Sequence, residues 1–277
     1  MLNKLVKRLL VVSIIIFLMS LTTVVIKPME AQIGTQNSVK PPKTTSNEST
    51  CTPRSDKTDV KLPSSYDRRN TYPALIMLPV TGGTPNDYFQ GAFAEQYSVR
   101  IKNPFIVVLF DIQGSRNDWD PGKNFYPAIE RCEKFVKSNL AGLISKYSID
   151  PSRIVLGGSS LGGDLSWALS LRNPALFQSG TIVLNSQSTY RDEVAMRQLV
   201  ANKSRFFMLA NEVDEDKRLP EIRRAVDELA KYGVDHRFEI ISDANYTEML
   251  MRGVDYVLFN KDFSPRLSET PSKVEPT

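Results

Sequence analysis

The sequence predicts an α/β fold, in which one mostly parallel sheet is covered by helices on both faces. Short apolar runs recur along the chain, and segments with helical periodicity lie between them. Continuous apolar runs are typical of strands buried on both faces, and their alternation with helices favours a parallel sheet. The glycine-rich stretch 157–163 also follows an apolar run and opens a helical segment. A chain of 277 residues is long enough for one such domain.

The predicted elements follow one another in a regular order. An edge strand comes first, at residues 60–63, and the buried strands are predicted at 74–78, 105–110, 154–156, 180–184, 206–209 and 238–241. The helices are predicted at 87–96, 127–147, 161–172, 219–232 and 246–259. In parallel sheets, ligands bind beyond the carboxyl ends of the strands, so functional residues are expected in the loops that follow the strands.

The start of the chain has the pattern of an export signal. Lys4, Lys7 and Arg8 precede an apolar run over residues 9–26. This run exceeds the roughly 7–15 residues of a signal-peptide core and falls within the roughly 17–25 residues of a spanning helix. Met29-Glu30-Ala31 is a poor cleavage site, which favours a retained anchor over a cleaved peptide. The basic start places the rest of the chain outside the cytoplasm, with membrane contact only through residues 9–26.

The two segments that flank the predicted domain are poor in apolar residues. Residues 32–58 contain Pro41-Pro42 and many polar residues, and such a segment buries too little surface to offset its ordering entropy. The predicted organisation is a signal peptide or anchor at 1–31, a flexible linker at 32–58, a folded domain at 59–262 and a disordered tail at 263–277. Cys51 and Cys132 could pair in an exported protein, although their spacing alone does not decide it.

Charge and motif content exclude several classes of function. Most of the net charge of +4 comes from the N-terminal segment, so the remainder of the chain is nearly neutral and no nucleic-acid partner is expected. The glycine-rich stretch 157–163 lacks the lysine of a phosphate-binding loop, and no dinucleotide fingerprint or metal-ligand spacing is present. No cofactor or metal is therefore expected.

The stretch Gly158-Ser159-Ser160-Leu161-Gly162 fits the G-x-S-x-G nucleophile elbow. In this motif a strained strand-to-helix turn presents one serine hydroxyl above a sheet. The glycines have a steric reason, because a Cβ at so tight a turn would collide with neighbouring backbone. A glycine-rich turn with an unused serine is the alternative. The strand before and the helix after it favour the elbow, with Ser160 as the candidate nucleophile.

Several other stretches carry a resemblance to a known family. They are Leu62-Pro63-Ser64-Ser65-Tyr66 followed by Tyr72-Pro73, Asp150-Pro151-Ser152-Arg153-Ile154 leading into the elbow, Asn173-Pro174-Ala175-Leu176-Phe177, and the strand end Ala210-Asn211-Glu212-Val213-Asp214. They resemble the putative-esterase branch of the α/β-hydrolases, which includes esterase D-like, feruloyl-esterase-like and polyhydroxybutyrate-depolymerase-like proteins. The resemblance runs from about Val60 to Asn260, and it implies an α/β-hydrolase fold and ester hydrolysis.

The resemblance assigns the members of a catalytic triad. Ser160 would be the nucleophile and Asp214 the acid, although Asn211 replaces the glycine that usually precedes that acid. Asn245 falls at the position of the histidine base, and an amide cannot accept the serine proton near neutral pH. His236, the one histidine, opens the last predicted strand, about 15 Å or more from the edge where the nucleophile is expected.

The resemblance also implies an oxyanion hole and a ligand-contacting loop. The backbone N–H groups of Thr81 and Leu161 would bind the developing negative charge. Family members carry His-Gly where this chain has Pro79-Val80, so a plain turn is the alternative for this loop. Arg116 and Trp119 follow the strand that ends near residue 110 and could contact a ligand, unless their loop only caps the sheet.

Two functions therefore stay open. The first is an exported α/β-hydrolase-fold protein with a degraded triad, acting as a binding module or as a very slow esterase. The second is a working carboxylic-ester hydrolase with an unorthodox base, drawn from Asp243, Glu248 or a partner chain. In both cases the ligand is a small-molecule ester or a similar compound. The sequence determines neither its identity nor the oligomeric state.

Overall fold

A seven-stranded sheet forms the centre of the computed structural model, which describes residues 49–116, 125–212, 218–242 and 246–261. Its strands are β1 (Thr52–Lys61), β2 (Tyr72–Met77), β3 (Ile106–Gln113), β4 (Ile149–Ser159), β5 (Gly180–Leu184), β6 (Arg205–Asn211) and β7 (Asp235–Ile241). The strand order is β1-β3-β2-β4-β5-β6-β7. Only β1 runs antiparallel to its neighbour, so the predicted mostly parallel sheet is confirmed.

Four of the helices in the described residues agree closely with the predicted ones, one starts later than predicted and one was not predicted. In chain order, the helices are α1 (Gly91–Ser98), α2 (Phe125–Tyr147), α3 (Leu161–Arg172), α4 (Glu193–Asn202), α5 (Leu219–Tyr232) and α6 (Tyr246–Phe259). The helix predicted at 87–96 starts later than predicted, because the chain forms a short 3-10 turn at Pro85–Tyr88 and α1 begins only at Gly91, whose φ is 53°. Helix α4 was not predicted, although Asp192 caps it by accepting hydrogen bonds from the N–H groups of Val194 and Ala195.

Part of the predicted linker belongs to the sheet. Residues up to 58 are expected in a linker, but β1 starts at Thr52 and pairs with β3. Just before it, Cys51 forms a disulfide with Cys132 of α2, which answers the pairing question that the sequence left open. The side chains of β1 are exposed or half-buried, so composition gave no sign of a strand held by backbone pairing.

The terminal segments predicted from the sequence lie outside the described residues. These are the signal or anchor at 1–31, the linker up to residue 48 and the tail at 263–277. Among the helices of the described ranges, none is long and apolar enough to cross a membrane. The export signal, the anchor and the tail stay predictions.

The core lies on both faces of the sheet. Along β2 the side chains alternate, so that Ile76 packs with the cluster under α2 and α3, while Leu75 packs with the cluster under α1 and α6. A third cluster joins α4 and α5 to β5 and β6. Helices thus cover both faces, and the loops at the carboxyl ends of the strands are left to form a site.

Candidate functional site

Ser160 lies at the turn between β4 and α3, with φ 53° and ψ −122°. A non-glycine residue with positive φ is uncommon, and such conformations concentrate at functional sites. The Ser160 N–H donates to the carbonyl of Leu184 at 2.9 Å, and its carbonyl accepts from the N–H of Asp164 at 3.0 Å. The turn is therefore tied to β5 on one side and to α3 on the other. This is the backbone geometry that a nucleophile elbow requires.

The glycines around Ser160 are required by close packing. A Cβ on Gly158 would lie 2.4 Å from the carbonyl carbon of Gly162. A Cβ on Gly162 would lie 2.5 Å from the carbonyl oxygen of Leu78, which belongs to the loop after β2. Real Cβ atoms do not approach other heavy atoms so closely. The backbones of β4, α3 and this loop can therefore meet only because these two residues are glycines.

The Tyr88 phenol forms hydrogen bonds with the backbone of Ser159, the residue before the candidate nucleophile. Its oxygen accepts a hydrogen bond from the Ser159 N–H at 2.7 Å and donates to the Ser159 carbonyl, 3.3 Å away. Burial raises the pKa of Tyr88, so the phenol stays protonated and keeps its donor. No local pattern marks this contact, because Tyr88 and Ser159 are 71 positions apart.

The candidate oxyanion loop, residues 79–84, is a tight turn held against β3. The Gly83 N–H donates to the Val80 carbonyl at 3.0 Å, and Gly82 has a φ of 75°, a conformation that favours glycine. The Gly82 N–H in turn donates to the carbonyl of Gly114 at 2.7 Å. Within the part of the chain that the structure describes, the Thr81 N–H makes no hydrogen bond. The turn therefore leaves one of its N–H groups available to a ligand.

The second candidate donor, the Leu161 N–H, lies in the first turn of α3. Backbone N–H groups in the first turn of a helix have no partner inside the helix. Gly114 packs between the segments that carry the two donors. A Cβ placed on it would lie 2.2 Å from the Val80 carbonyl oxygen and 3.3 Å from the Leu161 Cδ2. The loop that carries Thr81 and the start of α3 thus meet at Gly114.

Arg116 lies beside this loop on the ligand edge. Its side chain is exposed, and its Nε is 3.5 Å from the point where a Cβ of Gly82 would stand. The structure therefore brings Arg116 next to the turn that contains Thr81. Trp119, the other predicted ligand contact, lies outside the described residues.

The one histidine of the chain is far from Ser160. Across the sheet, Ser159 is level with Leu184, Leu209 and Glu239, whereas His236 pairs with Phe206. Three strand spacings separate β4 from β7, about 14 Å, and His236 lies three residues, about 10 Å, below the level of Ser159. Its Nδ1 is 2.8 Å from the Val234 carbonyl oxygen. The sequence placed His236 away from the nucleophile, and the structure agrees.

Of the other predicted polar residues of the site, only Glu248 lies within the described residues. Asp214, Asn245 and Asp243 lie outside the described residues, so their roles stay predictions. Glu248 is exposed in the first turn of α6. Among the described ranges, no group of three or more His, Cys, Asp or Glu side chains could hold a metal ion.

Asp164 is a buried carboxylate near the elbow that the sequence did not single out. It is 3% exposed, and its Oδ1 accepts hydrogen bonds from the N–H groups of Gln187 at 2.9 Å and Ser188 at 2.7 Å. These bonds hold the loop after β5 against α3. Because Asp164 already accepts these two N–H groups, we assign it a structural role rather than that of a base.

A separate groove lies between β1 and α2. It has a volume of about 870 Å³, and its lining includes Lys57, Asp111 and Lys146. Ser160 does not line this groove, and side chains of both charge signs are typical of a solvated surface. The candidate site is therefore assigned to the carboxyl edge of the sheet.

Comparison with known proteins identifies the family. The sequence matches the family described as "Putative esterase" over residues 49–217, which is more than half of the chain. The chain belongs to this esterase family. The family resemblance noted from the sequence is thereby confirmed. No curated protein matches the sequence.

Solved structures of other esterases share the fold. A ferulic acid esterase is 15% identical, with a TM-score of 0.52 over 73% of this chain and 90% of its own. A carboxylesterase from Bacillus cereus is 14% identical, with a TM-score of 0.51 over 73% of this chain and 94% of its own. At such low identity the likeness shows the fold alone. This esterase-family chain has the α/β-hydrolase fold, as the sequence predicted.

Proposed function

We propose that this protein is an exported member of the esterase family that has lost its catalytic base. It binds a small-molecule ester or a similar compound at Ser160 and hydrolyses esters at most very slowly. The observation that carries the proposal is the position of His236, the one histidine, on β7 and far from the elbow. Residues 9–26 either hold the protein at the outer side of the membrane or are removed with a signal peptide.

The missing base has a large expected effect on rate. A serine hydroxyl is a weak nucleophile at neutral pH and needs a base within hydrogen-bond reach. Removing the histidine from a serine-hydrolase triad lowers turnover by about a millionfold. The rate that remains comes from the oxyanion hole and from substrate binding. An esterase-family chain without this histidine is therefore left mainly with binding.

The described part of the site supports binding of a carbonyl-containing ligand. The N–H groups of Leu161 and Thr81 are available as donors, and Arg116 adds a positive charge beside the same turn. A ligand carbonyl oxygen bound by these N–H groups would lie beside the strand-to-helix turn that carries Ser160.

A working esterase with an unorthodox base is the second candidate. The retained elbow geometry of Ser160 favours it, because this strained turn is the one that presents a nucleophile. Its weakness is the base, since the alternatives predicted from the sequence, Asp243 and Glu248, are carboxylates, and a carboxylate accepts a serine proton poorly.

Labelling with a fluorophosphonate probe separates the two candidates. The experiment uses the full chain in mild detergent, with Ser160→Ala and His236→Ala as controls. We expect the wild type to label slowly and incompletely, Ser160→Ala not to label, and His236→Ala to label like the wild type, because His236 does not reach Ser160. Rapid, stoichiometric labelling that disappears in Ser160→Ala would overturn the loss of the base and support the working esterase.

A further inference from the structure

The segment just before β1, residues 49–51, lies at the same edge of the sheet as the elbow. Because β1 runs antiparallel to β3, its first residue, Thr52, pairs with Gln113 at the carboxyl end of β3. Cys51, next to it, is bonded to Cys132 of α2, and both cysteines are buried. The segment that enters the domain is thus fixed close to the loops that form the candidate site.

Residues 113–115, at the end of β3, are held from one side by this entering segment. The Cys51 N–H donates to the Gln113 carbonyl at 3.0 Å. The side chain of Thr50 is fully buried, and its Oγ1 accepts a hydrogen bond from the Ser115 N–H at 2.9 Å. The Arg131 Nε of α2 donates to the Thr50 carbonyl at 3.3 Å. Thr50 is therefore fixed between α2 and the end of β3.

The same residues are held from the other side by the candidate oxyanion loop. The Gly114 carbonyl accepts from the Gly82 N–H at 2.7 Å, and the Gly114 N–H donates to the Gly83 carbonyl at 2.9 Å. Residues 113–115 therefore form a bridge, with residues 50–51 on one side and the oxyanion loop on the other. A displacement of this bridge would move the turn that carries Thr81.

We propose that Thr50, fixed by the Cys51–Cys132 disulfide, is a positioning residue for the candidate oxyanion loop. It acts through residues 113–115 on the turn at 80–83 and touches no ligand itself. The inference rests on the proposed function, because it concerns how the donor at Thr81 is held. Donors of this kind must be placed to within about 0.5 Å to be effective, which a loop of small residues does not ensure alone. The alternative is that Thr50 only anchors the segment before β1.

The test compares Thr50→Val, Thr50→Ser and a matched control in the full chain. Valine removes the hydroxyl and keeps the shape, whereas serine keeps the hydroxyl. The control is Thr181→Val, since the Thr181 hydroxyl is also fully buried and bonds Ser170, but within the sheet core on β5. Both valine variants lose the hydrogen bonding of one buried hydroxyl, so their loss of global stability should be similar.

The first measurement is amide hydrogen exchange of peptides covering residues 79–84 and 113–116. We expect Thr50→Val to speed exchange there by about tenfold, the effect of losing one buried hydrogen bond. Thr50→Ser should restore the wild-type rates, and Thr181→Val should leave both peptides unchanged. Faster exchange confined to residues 49–52, or an equal effect of Thr181→Val on both peptides, would overturn the proposal.

The double variant Cys51→Ala/Cys132→Ala tests whether the disulfide is needed to hold Thr50. It should speed exchange in the same two peptides. If residues 79–84 of the double variant exchange at the wild-type rate, the disulfide is not needed. If the double variant does not fold, the Thr50 variants decide. The Ser160 labelling rate, measured in the same panel, should fall in Thr50→Val and recover in Thr50→Ser. Hydrogen exchange does not depend on the reactivity of Ser160, so a failure of the proposed function is distinguishable from a failure of this inference.

Discussion

The junction between β4 and α3 and the carboxyl end of β7 lie on the same edge of one sheet, but fold and chemistry place different demands on their residues. At the first, Gly158 and Gly162 are required by backbone packing, so the elbow is also part of the fold. At the second, the predicted base position, Asn245, lies outside the described residues, and the one histidine is at the opposite end of β7. A residue required by packing cannot be replaced without damage to the fold. A base required only by the chemistry can be replaced while the fold is kept.

The first prediction breaks the elbow itself. Gly158→Ala places a Cβ 2.4 Å from backbone of Gly162, and we expect it to lower the free energy of unfolding by about 3 kcal/mol or more. Urea unfolding measures this. The matched control is Gly142→Ala in α2, where an added Cβ meets no atom within 4 Å and should stabilise by about 0.5–1 kcal/mol. Equal tolerance of the two alanines would show that packing does not fix the elbow.

A smaller effect is expected from Tyr88, whose phenol bonds the backbone of Ser159. Tyr88→Phe removes the partner of the Ser159 N–H and should lower the free energy of unfolding by about 1–2 kcal/mol. Tyr97→Phe is a matched control, because its phenol also bonds backbone, sharing its one O–H between the carbonyl of Lys61 at 2.7 Å and the carbonyl of Phe105 at 3.0 Å, but at the opposite edge.

These two variants should differ in their effect on the site. Tyr88→Phe is expected to slow labelling of Ser160 by a fluorophosphonate, whereas Tyr97→Phe is expected to leave it unchanged. Similar labelling in both variants would mean that Tyr88 contributes to stability and not to the position of Ser160.

The sequence predicted those parts of the fold that side-chain pattern determines. Helices α3, α5 and α6 have the predicted bounds, because apolar periodicity and the ends of each pattern define them. Strand β1 extends into the predicted linker, since a polar edge strand is held by backbone hydrogen bonds that composition does not show.

The site was predictable only where a local motif carries it. Ser160 could be found from the glycines beside it. Tyr88 and Asp164 were not found, because their partners lie 71 and 23–24 positions away and no local pattern marks such contacts. The packing of Gly114 between Val80 and Leu161 was hidden for the same reason.

Asn245→His is the sharpest test of the proposal that the site lacks only its base. Hydrolysis of 4-nitrophenyl acetate would be measured for the full-length wild type, for Asn245→His and for Ser160→Ala/Asn245→His. We expect Asn245→His to raise the rate by about a hundredfold or more, with a rise as pH passes the histidine pKa near 6.5, and the double variant to lose the gain. Wild-type hydrolysis that depends on Ser160 and is already as fast as that of a folded Asn245→His variant would contradict the proposal.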